Sequence, residues 1–446
     1  MDNFLFEKLQ DYKERIAIWQ NHHSYSYADL LEQISKYHQL LDSIPAHSKV
    51  AIQSDYSLES IALFLALLKN QHTIIPIISP QELDQKLQES YAEFLIAQSD
   101  MEKIIHISQP KQNLFELNDA GLILFSSGST GKPKAMLHNL SHILKKFENK
   151  KSKQLSMLLF LMFDHIGGIN TLLNILSTGQ TAIIPNDRKD VHHIANLIET
   201  HKISILPTSP TFLNLMLLNK VHLHHNLSSL KMISYGTESM PETLLKKLQN
   251  AFPKTKFLQT FGTSEVGIMQ TISEKSGSLF MKISDPNIEY KIVNQELWIK
   301  SQTQVLGYLN ASMENFVDGY FKTGDLVETK MINGEEYIRI IGRNKEMINV
   351  GGEKVLPQEI ESIILQIDGI LDCLVYGEKN AITGQSICCE VVIDSKKIKK
   401  DEIKKMIRSF CKGKIDNYKI PSKVLVKEEL QASERFKKVR NIAKQS

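Results

Sequence analysis

Leu122-Ile123-Leu124-Phe125-Ser126-Ser127-Gly128-Ser129-Thr130-Gly131-Lys132-Pro133-Lys134 runs an apolar strand into nine residues that hold four hydroxyls, two glycines and two lysines. Glycine lets backbone N–H groups come close to an anion, hydroxyls donate further hydrogen bonds, and lysine adds charge. This is chemistry for gripping a polyphosphate. It is not a Walker loop, which needs glycine five residues before its Gly-Lys pair and Ser or Thr after the lysine. Those positions hold Ser126 and Pro133. Pro133 also disfavours helical geometry at Lys132, so the loop is expected not to feed straight into a helix.

Outward from this loop, short β-branched runs alternate with helical patterns. Val50–Gln53 reads as a strand, Ser57–Lys69 as a helix capped by Ser57, and Thr73–Ile78 as the next strand. The unit recurs with a strand at Ala182–Pro185, a helix over Val191–His201 and a strand at Ile203–Leu206, then with strands at Lys231–Ser234 and Lys256–Gln259. Strands separated by helices predict an α/β fold of parallel or mixed sheets with crossover helices. After Glu289 short strands joined by tight turns such as Asn333-Gly334 predict a small antiparallel, barrel-like unit. Residues 353–446 carry strand, helix and strand patterns, with a helix starting near Pro357.

The chain has 446 residues, a length suited to two or three domains. Its formal net charge of +3 gives no global reason to expect nucleic acid. From Lys396 to Ser446 there are 17 basic and 6 acidic residues, a local net of +11. That suits solvated helix faces, or a surface meeting a polyphosphate ligand or an acidic carrier. The apolar run Met157–Phe163 is too short to span a bilayer, and the start MDNFLFEKLQDYKER lacks the features of a signal peptide. Cys373, Cys388, Cys389 and Cys411 form no CxxC pair, which fits reduced thiols and a cytoplasmic location.

Further segments carry chemistry. Gln259-Thr260-Phe261-Gly262-Thr263-Ser264-Glu265 reads as a strand ending in a glycine turn that presents an aromatic, hydroxyls and a carboxylate. Mg²⁺ takes hard oxygen ligands and commonly bridges carboxylate to phosphate. In their order these segments resemble the acyl- and aryl-adenylate-forming enzymes, which include acyl-CoA synthetases, firefly luciferase and the adenylation domains of nonribosomal peptide synthetases. The resemblance spans roughly residues 20 to 440.

SSGSTGKPKA, from Ser126, looks like that family's phosphate loop, which implies nucleotide contacts from Ser126, Ser127, Gly128, Ser129, Thr130, Gly131, Lys132 and Lys134. Gln259–Glu265 is similar to its aromatic-Gly-x-Thr-Glu segment. This implies Phe261, Gly262 and Thr263 at the nucleotide, Ser264 on phosphate and Glu265 on Mg²⁺. Ser234-Tyr235-Gly236-Thr237-Glu238 resembles the segment flanking adenine, so Gly236, Thr237 and Glu238 are expected there. Phe321-Lys322-Thr323-Gly324-Asp325 resembles a ribose-binding motif, with Asp325 accepting from the hydroxyls. In Gly342–Glu361, Arg343 matches a residue binding ribose or phosphate, Lys345 matches the hinge, and Gly351-Gly352 matches a loop that swings in for the second half-reaction.

Ser433–Arg440 is similar to the segment whose lysine contacts the acid and the α-phosphate, which falls on Lys437; Phe436 stands where glycine is usual, and Lys438 is the alternative. Were that backbone at φ > 0, Phe436 would be strained. Phe163-Asp164-His165-Ile166-Gly167-Gly168 resembles an acyl-enzyme segment in which His165 lines the acid end or gates the pantetheine tunnel. The acid pocket is expected along Phe163–Gly168, Ser209–Phe212, Tyr235-Gly236 and Gly267–Met269.

The resemblance implies an adenylation domain over residues 1–343 and a small mobile α+β domain over 344–446. The expected activity is an AMP-forming acid–CoA ligase using ATP, Mg²⁺ and CoA on a small acyl or aryl carboxylic acid. An enzyme loading a carrier protein's phosphopantetheine is the alternative, followed by a nucleotide-binding regulator that has lost catalysis.

Overall fold

A computed structural model describes residues 4–107, 117–126 and 132–440. Two seven-stranded sheets form the large body. The first runs Lys256–Gln259, Met232–Tyr235, Ile205–Thr208, Ser156–Leu158, Thr181–Ile183, Ile16–Gln20 and His23–Ser26, parallel apart from the last hairpin. The second centres on Gly121–Ser126, Thr73–Ile77, Lys49–Gln53 and Phe94–Ala97, all parallel. The expected α/β architecture is therefore present, with the strand expected from Ile203 starting at Ile205.

The helix Leu58–Lys69 is apolar around its whole circumference, and every residue from Ser60 to Leu68 is buried. Such a helix belongs between two layers. The largest core cluster accordingly joins it to Ile18 and Ala182 of the first sheet and Ile52, Ile74 and Leu122 of the second. Ser57 caps this helix, with its hydroxyl accepting from the Ser60 N–H. After Pro133 the chain enters the strand Lys134–Asn139 and not a helix, as expected.

An antiparallel sheet follows, built on Ile288–Val293, Glu296–Ser301, Tyr320–Ile332 and Glu335–Arg343. Asn333 and Gly334, with φ of 51° and 81°, make the turn between its two long strands. That left-handed pair matches the twist of a two-residue hairpin. Beyond Arg343 a five-stranded sheet packs on the helices Pro357–Ile364 and Ile403–Cys411 around its own apolar cluster. All four cysteines are free and buried. Many basic side chains of this region face acids of the same region: Lys419 with Glu359, Lys423 with Glu378, Lys397 with Asp368, and Arg440 with Glu361. No helix among the described residues is long and apolar enough to cross a membrane.

The segment 433–440 leaves this unit and returns to the large body. There Phe436 joins the apolar cluster of the first sheet.

Candidate active site

A cavity of about 1060 Å³ opens at the C-terminal edge of the first sheet. Its wall is built at the ends of four parallel strands: Leu161 and His165 after Ser156–Leu158, Thr208 at the end of Ile205–Thr208, Gly236 and Thr237 after Met232–Tyr235, and Thr260–Glu265 after Lys256–Gln259. Carboxyl ends of parallel strands are where open α/β sheets bind ligands. Gly236 is glycine for a steric reason: a Cβ there would lie 2.6 Å from Thr260 Oγ1 and 2.8 Å from its carbonyl oxygen.

Ser126, Lys134, Phe261, Gly262, Thr263, Ser264 and Glu265 line this cavity, as do Arg343, Lys345, Arg435 and Lys437 from the far side. Ser127–Gly131 lie outside the described residues. Lys132 is exposed. Lys134 Nζ sits 5.5 Å from the ring centroid of Tyr308, whose hydroxyl donates to Glu265 Oε1 at 3.2 Å. Glu296 is tied up by the Gly324 N–H at 2.9 Å and Asn344 Nδ2 at 3.2 Å. Asp285, the other carboxylate of the lining, faces Lys146, which leaves Glu265 as the carboxylate that shares Tyr308 with Lys134. One hard-oxygen ligand in the cavity that Ser126 and Lys134 line fits Mg²⁺, which takes one or two carboxylates and completes its shell from phosphates and water.

Asp325 lies behind that wall. Its Oδ1 accepts from Arg343 Nε at 2.7 Å, and its buried Oδ2 has no partner among the described residues. A buried carboxylate oxygen without a donor is costly, and a ligand hydroxyl would satisfy it. Burial pushes the Asp325 carboxyl up, against the opposing pull of Arg343. Glu238 takes a different position from the other residues of its segment. It accepts from the Thr211 N–H at 2.7 Å and the Lys438 N–H at 3.2 Å, and so ties the returning segment to the large body.

The two lysines of that segment are well separated in role. Lys438 Nζ binds Asp372 Oδ1 at 2.5 Å and the Cys373 carbonyl at 2.9 Å, which commits it to the C-terminal unit. Lys437 faces the cavity. Burial, with Arg343 and Arg435 nearby, pushes its ammonium down to about 8. Immediately before them, Phe436 has φ of 50°. Its carbonyl accepts from the Ser209 hydroxyl at 2.8 Å, and its ring lies 5.2 Å from Phe160 and 5.1 Å from Phe212. The Ser209–Phe212 stretch, expected to line the acid pocket, instead seats Phe436.

His165 caps the helix Ile166–Thr178, with Nδ1 accepting from the Gly167 N–H at 3.1 Å. That bond puts the ring proton on Nε2. Burial, reinforced by Lys437 and Arg435, holds the imidazole neutral, well below its ordinary range. Asp164 is gripped by Lys86 at 3.3 Å and by Arg435 at 3.5 Å.

Sequence reasoning missed Tyr308 and the polar side of the pocket, where Lys146, Lys150, Asn170 and Asn174 also line the cavity. The run of lysines between 145 and 153 was the available signal.

The chain matches the AMP-binding enzyme family over residues 5–321 and the AMP-binding enzyme C-terminal domain over 359–437. It therefore belongs to the AMP-binding enzyme family, within the adenylate-forming superfamily that its ordered motifs resemble. Among curated proteins it is 26% identical to the 2-succinylbenzoate–CoA ligase of Staphylococcus aureus strain JH9, over 94% of this chain and 95% of that protein. The fold is shared with the anthranilate CoA ligase AuaEII in complex with anthranoyl-AMP, at a TM-score of 0.83 and 18% identity over 98% of this chain and 95% of that one. It is shared as well with the o-succinylbenzoate CoA synthetase of Bacillus subtilis, at 0.75 and 20% identity over 100% of this chain and 98% of that one.

Proposed function

We infer that this chain is an AMP-forming acid–CoA ligase that activates an aryl or acyl carboxylic acid. The single observation that carries the reading is the convergence of Lys437 with Lys134, Ser126 and Glu265 on one cavity at the strand ends.

A carboxylate is a poor acylating agent, because its leaving group would be oxide. Attack of its oxygen on the α-phosphorus of ATP forms a C–O–P link and expels pyrophosphate, giving an acyl-adenylate. Two anions must meet, so the site has to supply fixed positive charge in a low-dielectric pocket. On this reading Lys134 would meet the β- and γ-phosphates, and Lys437 the α-phosphate and the incoming carboxylate. Mg²⁺ bound with the nucleotide would be held by Glu265 and would offset charge on the phosphates. Asp325 and Arg343 would take the ribose side. His165, neutral and with its proton on Nε2, is a hydrogen-bond donor toward the acid rather than a base. In the second step the thiol sulfur of CoA attacks the acyl carbon, the C–O bond to phosphate breaks, and AMP leaves.

The second step needs the space that Lys437 occupies. Residues 344–446 are the body that turns, with the hinge at Lys345, and Gly351-Gly352 the loop that replaces Lys437. Few hinge residues absorb such a φ/ψ change.

The relatives named above are CoA ligases along nearly the whole of their chains, which favours free CoA over a carrier protein. They act on 2-succinylbenzoate and anthranilate, which supports an aryl acid. An amino-acid substrate is disfavoured, since Asp164 is already neutralised by Lys86 and Arg435. Use of ATP and CoA together with free buried thiols supports a cytoplasmic location.

The test is hydroxylamine trapping with ATP and a broad acid panel, followed by thioester formation with CoA. Absence of any hydroxamate would refute the reading. Within it, Glu265→Gln is expected to raise the Mg²⁺ concentration needed for half-maximal pyrophosphate exchange by about 10-fold. An unchanged Mg²⁺ requirement would remove Glu265 from the metal.

A further inference from the structure

The segment 303–310 joins Glu265 to Lys134, the carboxylate and the cation that the ligase reading sets at the phosphates. At its start it holds the chain around Glu265. The Val305 N–H donates to the Glu265 carbonyl at 2.8 Å, and the Thr303 hydroxyl donates to the Val266 carbonyl at 3.1 Å. Farther on it pairs with the strand Lys134–Asn139, Gly307 opposite Leu137 and Tyr308 opposite Met136. Its backbone follows that edge as far as the Leu309 N–H, which donates to the Ala135 carbonyl at 2.9 Å.

From there a side chain takes over. Asn310 Oδ1 accepts from the Ala135 N–H at 2.9 Å, and its Nδ2 donates to the Pro133 carbonyl at 2.8 Å. The same Nδ2 donates to Glu89 Oε2 at 2.8 Å, from the helix Leu83–Ser90. A side-chain amide carries the acceptor and the donors of a peptide unit, so Asn310 extends the ladder by one step. Pro133 has no N–H, so the edge offers only a carbonyl there and calls for a donor. These partners also fix which way the amide points, since its oxygen meets an N–H and its nitrogen meets two acceptors.

The two backbone groups held by Asn310 belong to the peptide units on either side of Lys134. Peptide units are planar, so holding both fixes φ and ψ of Lys134 and the direction in which its side chain leaves the strand. That direction brings Nζ to 5.5 Å from the Tyr308 ring centroid, and the Tyr308 hydroxyl donates to Glu265 at 3.2 Å. Asn310 itself is not part of the cavity wall. It reaches the site through the backbone it holds.

We propose that Asn310, steadied by Glu89, is a positioning residue for ATP: it aims Lys134 at the β- and γ-phosphates. This rests on the ligase reading above and adds to it a residue outside the cavity. Misplacing a charged group by about 1 Å can cost on the order of 100-fold in rate, so such a residue is felt without touching the ligand. Its effect is confined to the outer phosphates. AMP lacks them and gains nothing from the aim of Lys134.

The test is calorimetric titration of the full chain with ATP and Mg²⁺ and, separately, with AMP. Asn310→Ala is expected to weaken ATP binding by about 10-fold and to leave AMP binding within about 2-fold. Asn310→Asp should weaken ATP binding further, because its carboxylate meets the Pro133 carbonyl and Glu89 where an amide donated. Added to Lys134→Ala, Asn310→Ala should cost no more than about 2-fold again, since a residue that acts through Lys134 has nothing left to aim. Unchanged ATP binding in Asn310→Ala, parallel loss of ATP and AMP, or full additivity with Lys134→Ala overturns the proposal and makes Asn310 a strand-edge cap. If Asn310→Asp loses its melting transition, Asn310→Ala decides alone. A wild type that binds ATP but gives no hydroxamate with any acid overturns the ligase reading, while the ATP-against-AMP split still decides the role of Asn310.

Discussion

Lys437→Ala is expected to lower acyl-adenylate formation by at least about 100-fold, the usual effect of deleting one preorganised electrostatic donor, yet to spare thioester formation from supplied acyl-adenylate. The asymmetry comes from position. Lys437 is directed into the cavity with Arg343, Lys345 and Arg435 around it, whereas the neighbouring Lys438 is spent on Asp372 and the Cys373 carbonyl. Lys438 therefore cannot take over when Lys437 is removed. The ammonium is held down to about 8 by burial and by Arg343 and Arg435. Only the protonated form carries the charge, so kcat/KM for adenylation should fall as pH rises through about 8. Lys437→Arg, which does not titrate there, should abolish that falling limb even if its rate is low. Equal loss of both half-reactions in Lys437→Ala would show that the residue holds the fold and not the transition state.

Local features of this molecule were readable wherever a short-range rule sufficed. Ser57 precedes an apolar run and caps it, Asn333-Gly334 joins two strands, and Pro133 is followed by a strand and not a helix. Each depends on neighbours within a few residues. The composition of the cavity was less readable. Lys150 meets Asn174 only because a turn held by Lys8 packs against one helix face, and no periodicity near Lys150 announces that. Likewise Glu238, in a segment read as flanking adenine, is claimed by two backbone N–H groups, one of them 200 residues away. Asp372 and Lys438 pair across 66 residues, and only that pairing separates the two lysines of the last segment. Contacts of this range are set by packing, which one sequence encodes without displaying. Of the lining expected for the acid pocket, His165–Gly167, Gly236 and Ile268-Met269 do face the cavity, whereas Phe212 is part of a seat for Phe436, and the polar side chains of Ile166–Thr178 add to the wall.

Phe436→Ala should slow pyrophosphate exchange by about 100-fold while leaving thioester formation from supplied acyl-adenylate unchanged or faster, and Phe436→Gly should fall between it and wild type. A non-glycine residue at φ of 50° pays strain, about 1 kcal/mol for a single residue. Here that strain is outweighed. Burying a Phe side chain contributes about 2–3 kcal/mol, and aromatic contacts of the kind made with Phe160 and Phe212 add about 0.5–1.5 kcal/mol. The ring is seated with the segment 433–440 on the large body, so on the proposed reading it would latch the arrangement that presents Lys437. If the C-terminal unit turns as proposed, neither arrangement can be favoured by more than a few kcal/mol, and loss of the ring would be felt almost fully in the population of the first. Alanine loses the seat and keeps the strain; glycine loses the seat but sheds the strain. The ranking wild type, glycine, alanine in exchange is specific to a latch at positive φ. Should alanine match wild type, or should both half-reactions decline together, Phe436 would be a packing residue with no hold over the turn of the C-terminal unit.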